Sequence, residues 1–175
     1  MLMFVDELEL FAAAGNGGDG VVRWRQEKYK PKGGPAGGNG GNGGDVYVEG
    51  VKDLNRLAKY TGQKKFQAEA GGNGTNRSQF GKNGSDCIIE IPVGSRVTDL
   101  DRDRSFEVLR AGERVKILKG GSGGFGNEHF KSSTNVTPLQ ATSGTQGERG
   151  RFLVEVALVV DVGLIGFPNA GKSTL

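Results

Sequence analysis

Apolar and polar residues alternate in short runs along most of the chain, and glycine-rich sequence separates these runs. Alternation over four to eight residues is the period of a half-buried β-strand. Repeated short strands with turn signals between them indicate a mainly β protein, either a sandwich or a barrel. The predicted strands are residues 3–11, 21–25, 46–49, 66–69, 87–93, 96–99, 106–109, 114–118 and 151–159.

One stretch between these strands has helical spacing instead. Leu54, Leu57 and Ala58 fall on one face of a helix, and Asp53 stands where a capping residue is favoured. The sequence therefore predicts a short helix over residues 53–60.

The glycine-rich blocks carry a period of three residues. From Gly37 the block 33–44 has glycine at two of every three positions, and the spacing returns in four further blocks, at 15–20, 71–84, 120–126 and 144–150. Three residues per turn is the period of polyproline II, which makes no internal hydrogen bonds, and glycine lets neighbouring backbones approach each other. We predict packed polyproline II segments anchored by the strands. The alternative is a set of independent flexible loops.

Composition is compatible with a soluble globular protein, at 35% hydrophobic and 25% charged residues among 175. Cys87 is the single cysteine and cannot form an internal disulfide, and the first residues lack a secretion signal. We therefore expect a cytoplasmic protein, with Cys87 in the core. The apolar run 156–160 is far too short to span a membrane.

Positive charge is concentrated between residues 21 and 32, although the net charge of the chain is only +3. Five basic residues stand there against Glu27 alone, and such a patch suits a polyanion such as RNA. The alternative is a solvated basic face. The five are Arg23, Arg25, Lys28, Lys30 and Lys32.

A phosphate-binding loop follows a short apolar run, residues 161–165, near the end of the chain. Residues 166–173 read G-x-x-x-x-G-K-S, in which backbone N–H groups surround phosphates, Lys172 reaches the terminal phosphates and Ser173 offers a hydroxyl to Mg²⁺. The predicted nucleotide-binding residues are Gly166, Phe167, Pro168, Asn169, Ala170, Gly171, Lys172, Ser173 and Thr174.

Two other motifs have simpler interpretations. Residues 38–43 and 121–126 match the G-x-G-x-x-G dinucleotide pattern, but the period of three explains both, and no amphipathic helix follows. His129 has no partner residues at catalytic or metal-ligand spacing, so we expect a surface or hydrogen-bonding residue.

The chain resembles the Obg family of GTP-binding proteins over its whole length, because its glycine blocks are followed directly by a phosphate loop. The resemblance is specific in residues 28–35, 44–46, 81–84, 92–94, 120–127, 130–133 and 169–174. It implies an Obg fold, in which six glycine-rich polyproline II helices protrude from a small β-barrel, followed by an α/β Ras-like G domain. Five blocks supply six helices if one block folds back on itself. The implied division is a glycine-rich domain at residues 1–158 and the first strand and phosphate loop of a G domain at 159–175.

The resemblance also implies a function. Family members are cytosolic GTPases that act in assembly of the large ribosomal subunit, so GTP or GDP with Mg²⁺ on Ser173, the large subunit and its ribosomal RNA are the expected partners of a monomeric protein. The ribosome-facing candidates are Arg23, Arg25, Lys28, Lys30, Lys32, Lys82 and Lys131. These 175 residues contain no guanine-reading N-K-x-D after the phosphate loop. We therefore expect these 175 residues alone neither to bind GTP well nor to hydrolyse it.

Two other functions stay open at this point. The glycine-rich domain could recruit regulatory proteins to a G-domain timer, with Trp24, Tyr29 and Phe125 as aromatic anchors. The phosphate loop could also belong to a kinase or an ATPase, because it reads phosphates and not the base.

Overall fold

The computed structural model describes residues 5–25 and 33–156, which hold eight β-strands, two short 3₁₀ helices and no α-helix. The predicted mainly β fold is confirmed. The 3₁₀ helices are Arg56–Tyr60 and Asn127–Phe130. The strands are β1 Glu7–Ala13, β2 Val46–Val51, β3 Lys65–Gln67, β4 Cys87–Pro92, β5 Ser95–Asp99, β6 Arg104–Val108, β7 Arg114–Leu118 and β8 Arg149–Val156.

The strands form two sheets. One has five strands in the order β3-β1-β8-β5-β6, and the other has three in the order β4-β2-β7. Both are mixed, because β1 pairs with β3 and β2 with β4 in parallel, while the remaining pairs are antiparallel. Within the described residues, the strand ladders therefore do not close into one continuous barrel.

One hydrophobic core lies between the two sheets. Along β1, Leu8, Leu10 and Ala12 are buried while the residues between them are exposed, as a half-buried strand requires. Phe152 of β8 and Ile91 of β4 belong to the same cluster, so the core joins the two sheets. Burial of these side chains is the main stabilising contribution in this half of the molecule.

Six extended segments leave the strands and pack side by side, without helix or strand hydrogen bonding of their own. The block 71–84 supplies two of them, because the chain reverses at Arg77 and Ser78, so five blocks give six segments as the resemblance implied. Segments 1 to 6 are residues 14–20, 36–44, 68–75, 79–86, 119–126 and 142–148. Together they are called the glycine bundle below.

Gly18 in segment 1 illustrates how the bundle is held. Its N–H donates to the carbonyl of Gly41 at 2.8 Å, and its carbonyl accepts from the N–H of Gly124 at 2.9 Å. A Cβ on Gly18 would lie within 3.0 Å of the carbonyl of Gly72. The same contacts repeat at steps of three residues: the N–H groups of Gly15, Gly18 and Val21 donate to the carbonyls of Gly44, Gly41 and Gly38. The predicted backbone pairing with a period of three is thus confirmed.

Three sequence predictions need correction. Residues 21–25 form an isolated bridge, Trp24 to Pro35, and not a strand. Their backbone is bonded to residues 33–36 and, at Val21, to the carbonyl of Gly38 in segment 2, and not to a sheet. The alternation of apolar and polar side chains over residues 21–25 predicts a strand from neighbouring residues alone. It contains no information about backbone partners elsewhere in the chain. Gly34 and Gly150 fit the period of three but lie outside the bundle: Gly34 has φ 114° and open space around it, and Gly150 belongs to β8.

The predicted helix at 53–60 is a short 3₁₀ helix, Arg56–Tyr60, rather than a longer one. Asp53 is not the N-cap, since the helix begins at Arg56 and Asn55 precedes it as the N-cap. The Oδ1 of Asp53 accepts instead from the N–H of Asn55, before the helix begins. Leu57 is buried, but Leu54 is 49% exposed, so little burial supports a longer helix on this side. A stretch this short needs tertiary packing to remain α-helical.

Candidate nucleic-acid interface

Asparagine and aspartate side chains complete the hydrogen bonding of the glycine bundle. Backbone N–H groups that meet no carbonyl donate instead to the Asn or Asp that ends a Gly-Gly-Asx triplet or, at Asn16, Asn83 and Asp86, a triplet with only one glycine. Asn39 Oδ1 accepts from Gly126 N–H at 2.7 Å, and Asn42 Oδ1 accepts from Gly123 N–H at 2.8 Å. Other acceptors of this kind are Asn16, Asp19, Asp45, Asn73, Asn83 and Asp86. Their spacing of three residues was visible in the sequence, but their role was not predicted.

The bundle ends away from the strands in a set of loops, called the distal end: residues 20–25, 33–37, 75–79 and 126–142. Hydrogen bonds join these loops, from Ala36 N–H to the carbonyl of Arg23 and from Ser78 N–H to that of Ala36. The opposite end of the bundle continues directly into the strands. Six residues of polyproline II span roughly 19 Å, so the bundle carries the distal end well away from the sheets.

Asn127 is the buried centre of the distal end, with none of its surface exposed. Its Oδ1 accepts from the N–H of Gly37 at 2.8 Å, and its Nδ2 donates to the carbonyls of Arg23 and Pro138 at 3.0 and 3.2 Å. One side chain therefore ties three loops together. A buried amide whose donors and acceptor are all used fixes the geometry around it.

The charged side chains of the distal end are mostly basic. Arg23, Arg25 and Lys131, three of the predicted contacts, lie there and are exposed. Arg77 adds a fourth exposed cation that the sequence analysis missed, and Glu128 is the one acidic residue in the described part of this end. Four cations against one carboxylate create a positive potential suited to phosphate.

Arg77 occupies an unusual turn between segments 3 and 4. Arg77 and Ser78 have φ of 58° and 60°, and the N–H of Gln79 donates to the carbonyl of Asn76 at 3.3 Å. Two consecutive left-handed residues are the signature of a type I′ turn, where glycine and asparagine are preferred. The interruption of the glycine spacing within block 71–84 is the feature of the sequence from which a turn, and with it an exposed Arg77, could have been predicted.

The remaining predicted contacts do not join this group. Lys82 is exposed on segment 4, along the side of the bundle, next to the Gly81 N–H that donates to the carbonyl of Asn39. Lys28, Lys30 and Lys32 lie outside the described residues. So does the predicted nucleotide site, residues 166–174, including the Mg²⁺ ligand Ser173.

An aromatic cluster lies where segment 5 enters the distal end. The rings of Phe125 and His129 are stacked, with centroids 4.1 Å apart and planes 13° from parallel. Phe130 packs edge-on against both rings. His129 is on the surface as expected, whereas its stacking was not foreseen, because residues four apart say nothing about ring orientation. Trp24, a predicted anchor, is half-buried.

Asp45 marks the other end of the bundle, where segment 2 meets β2. Its Oδ1 accepts from Gly120 N–H at 2.7 Å, and its Oδ2 accepts from Lys116 Nζ at 2.8 Å and from the Tyr47 hydroxyl at 3.2 Å. Burial acts to raise the pKa of Asp45, but the hydrogen bond from Gly120 and the ion pair with Lys116 outweigh it and lower the pKa below its usual value of 3.8. The carboxylate is therefore part of the scaffold.

Other chemistry in the described residues is sparse. In 5–25 and 33–156, no cluster of three or more His, Cys, Asp or Glu side chains could hold a metal ion. Cys87 lies on β4, half-buried beside the core, and burial raises the pKa of its thiol. No helix in this part of the chain is long and apolar enough to cross a membrane.

Comparison with known proteins identifies a matching family model and a similar relative. The family model described as GTP1/OBG matches residues 5–158. The chain is also similar to a protein of Finegoldia magna named GTPase Obg, with 49% identity over 174 residues. This alignment covers 99% of the chain and 41% of that relative, so the chain spans less than half the length of the protein it resembles.

Proposed function

Because the chain belongs to the GTP1/OBG family, we propose that it is the N-terminal part of a GTP-binding, GTP-hydrolysing protein that acts in assembly of the large ribosomal subunit. The glycine bundle docks on ribosomal RNA through its distal end. The observation that carries this proposal is the charge of that end, where Arg23, Arg25, Arg77 and Lys131 are exposed and Glu128 is the one acidic residue among those that the structure describes there.

The shape of the bundle supports RNA as the partner. Its six segments are narrow, since most of the packing is backbone on backbone, and they carry basic loops roughly 19 Å beyond the sheets. A slender projection with cations at its end can enter a cleft between RNA helices and bind phosphates there.

The test is the salt dependence of binding between this chain and isolated large ribosomal subunits. We expect Arg23→Ala/Arg25→Ala to weaken binding and to reduce the slope of log affinity against log salt concentration by roughly 0.7 to 0.9 for each phosphate that the variant no longer neutralises. The matched control is Lys52→Ala/Lys64→Ala, which removes two exposed cations beside the sheets. Affinity independent of salt, or equally weakened binding in both double variants, would contradict docking by the distal end.

For the nucleotide, we propose that residues 166–174 bind GTP or GDP, with Ser173 as a ligand of Mg²⁺ and Lys172 on the terminal phosphates. This proposal rests on the motif and on the relative named GTPase Obg. In a protein that continues into a G domain, Lys172→Ala should lose nucleotide affinity while residues 1–158 remain folded. Simultaneous unfolding of both parts in this variant would contradict a domain boundary near residue 158.

A protein partner is the second candidate, favoured by exposed apolar side chains. Phe80 is 71% exposed, Val136 59% and Leu139 79%. Such residues can anchor a protein interface. Capture of partners with and without ribonuclease separates the two functions: loss of partners after the treatment supports RNA docking, and persistence of bound proteins supports recruitment of regulators.

A further inference from the structure

We propose that the stacked rings of Phe125 and His129 form a platform on which one unpaired base of RNA stacks. The inference rests on the proposed docking of the glycine bundle on ribosomal RNA. It adds a contact to a base, whereas the cations of the distal end would contact phosphates, which carry no sequence information.

The geometry leaves one face of the imidazole for a third ring. Phe125 covers the other face at 4.1 Å, and Phe130 stands at 88° against the edge of His129, with its centroid 5.5 Å away. Phe125 is 44% exposed and His129 is also exposed, so the stack stands in solvent and not in the core. A base placed on His129 would extend the stack.

Hydrogen bonds fix the backbone that carries both rings. Phe125 N–H donates to Thr142 Oγ1 at 2.7 Å, and its carbonyl accepts from Thr142 N–H at 2.9 Å. His129 lies in the short 3₁₀ helix Asn127–Phe130, whose first residue is buried and bonded to Gly37 N–H. Rings held in this way lose little conformational entropy on binding, which favours affinity.

The surrounding charges favour RNA over a protein partner. Lys131 is exposed two residues after His129, and the backbone of Arg23 is hydrogen-bonded to Asn127. Aromatic rings that stack bases, next to cations that contact phosphates, are the combination used to bind single-stranded RNA. The stack and the cations therefore form one surface with one class of ligand.

The experiment measures binding of the chain to isolated large ribosomal subunits for three variants at one position. His129→Ala removes the platform and should weaken binding about tenfold, in line with the loss of one stacked base. His129→Phe keeps an aromatic ring and should bind within about threefold of the unchanged chain. His129→Lys, which places a positive charge there without a ring, should bind as weakly as His129→Ala.

Each other result overturns the proposal. If His129→Lys and not His129→Phe keeps the affinity of the unchanged chain, His129 contacts a phosphate and not a base. If His129→Ala binds as tightly as the unchanged chain, no base stacks there, while the salt-dependent docking of the bundle is unaffected. Absence of any binding by the unchanged chain would overturn both proposals. Thermal unfolding checks that the three variants remain folded.

A second measurement tests stacking directly. The probe is a single-stranded RNA octamer with one 2-aminopurine, whose fluorescence falls when the base stacks. We expect quenching by the unchanged chain and by His129→Phe, but not by His129→Ala. Equal quenching by all three proteins would show that the base does not stack on His129. Capture of a partner protein that survives ribonuclease treatment and is lost in His129→Ala would show that the rings bind a protein instead.

Discussion

The strand half and the glycine bundle are held together by opposite uses of side chains. In the strand half, residues such as Phe152, Ile91 and Val97 are almost completely buried and form one hydrophobic core. In the bundle, the buried positions are mainly glycines whose missing Cβ atoms let carbonyls approach. The strands therefore depend on the side chains they have, and the bundle depends on those it lacks.

This difference makes the bundle dependent on the strands. Each glycine costs roughly 0.5 to 1 kcal/mol more backbone entropy than alanine on folding, while a net hydrogen bond returns about 1 kcal/mol. Little hydrophobic burial adds to that balance, because the buried apolar side chains within segments 1 to 6 are Ala14, Ala36 and Ala68. The core between the sheets fixes the ends of the segments and lowers the entropy lost when they pack.

The largest effect is expected from a cavity in the strand core. Phe152→Ala removes a side chain that is 2% exposed and should lower the free energy of unfolding by about 3–5 kcal/mol, as measured by denaturant titration. The control Phe80→Ala removes a ring that is 71% exposed and should change stability by less than about 0.5 kcal/mol. Amide exchange of Gly18 and Gly41 should accelerate in Phe152→Ala. Unchanged protection of these two amides would show that the bundle is stable without the core.

The next effect comes from adding a single methyl group to the bundle. In Gly40→Ala the new Cβ would overlap the carbonyl of Gly18 and approach the backbone of Asp19, which no rotamer change can relieve. Stability should fall by about 3 kcal/mol, which lowers the unfolding temperature by roughly 6 to 12 °C.

Gly62→Ala is the matched control for this change. Nothing lies within 4 Å of a Cβ at Gly62, and the position has no positive φ, so alanine there should be neutral or slightly stabilising. Equal unfolding temperatures for the two variants would remove the distinction between the halves of the molecule.

The sequence predicted the repeating part of the fold better than the parts that depend on distant partners. The period of three in the glycine blocks predicts the packing of the bundle directly, because every third residue of a segment contacts a neighbouring backbone. The fate of residues 21–25 could not be predicted in the same way, since their apparent strand pattern competes with partners such as Asn127, about a hundred residues away.

The candidate site shows the same limit. Arg23 and Arg25 were predicted from the concentration of charge between residues 21 and 32, and Lys131 from the family resemblance. Neither prediction requires the fold to be known. Their assembly with Arg77, and the stacking of His129 on Phe125, depend on where segments 1, 3 and 5 end. Those ends are set by the register of the bundle, which a single sequence does not specify.

A smaller effect is expected from the side chains that complete the bundle. Asn42→Ala leaves the N–H of Gly123 without its 2.8 Å acceptor, which should cost about 1 kcal/mol because water can reach the exposed group. Asn42→Asp keeps an oxygen at this place, as Asp19 and Asp45 do in equivalent triplets, and should restore most of the stability. Asn55→Ala is the control, since its side chain makes no capping hydrogen bond. A loss of stability in Asn42→Asp as large as in Asn42→Ala would show that the amide Nδ2 matters instead.

The smallest effect tests the junction between the two halves, through pH. The pKa of Asp45 is lowered in the folded protein, so its ion pair with Lys116 and its bond from Gly120 contribute stability that is present above the unfolded pKa, near 3.8, and is lost as pH falls through the folded value. Asp45→Asn keeps an acceptor for Gly120 but loses the ion pair. At pH 7 we expect an unfolding temperature about 2 °C lower than that of the unchanged chain, because an exposed ion pair is worth little. The gap should shrink as pH falls below 3.8 and close once pH is below the lower folded pKa, where the carboxyl is neutral in the folded protein as well.

The pKa values of Glu69 and Asp101 are also lowered, by hydrogen bonds from Ser85 and from Arg151, but both residues are present in the two proteins, so their titration cancels in the comparison. A gap that stays constant from about pH 7 to about pH 3 would mean that the charge of Asp45 does not couple the glycine bundle to the strands.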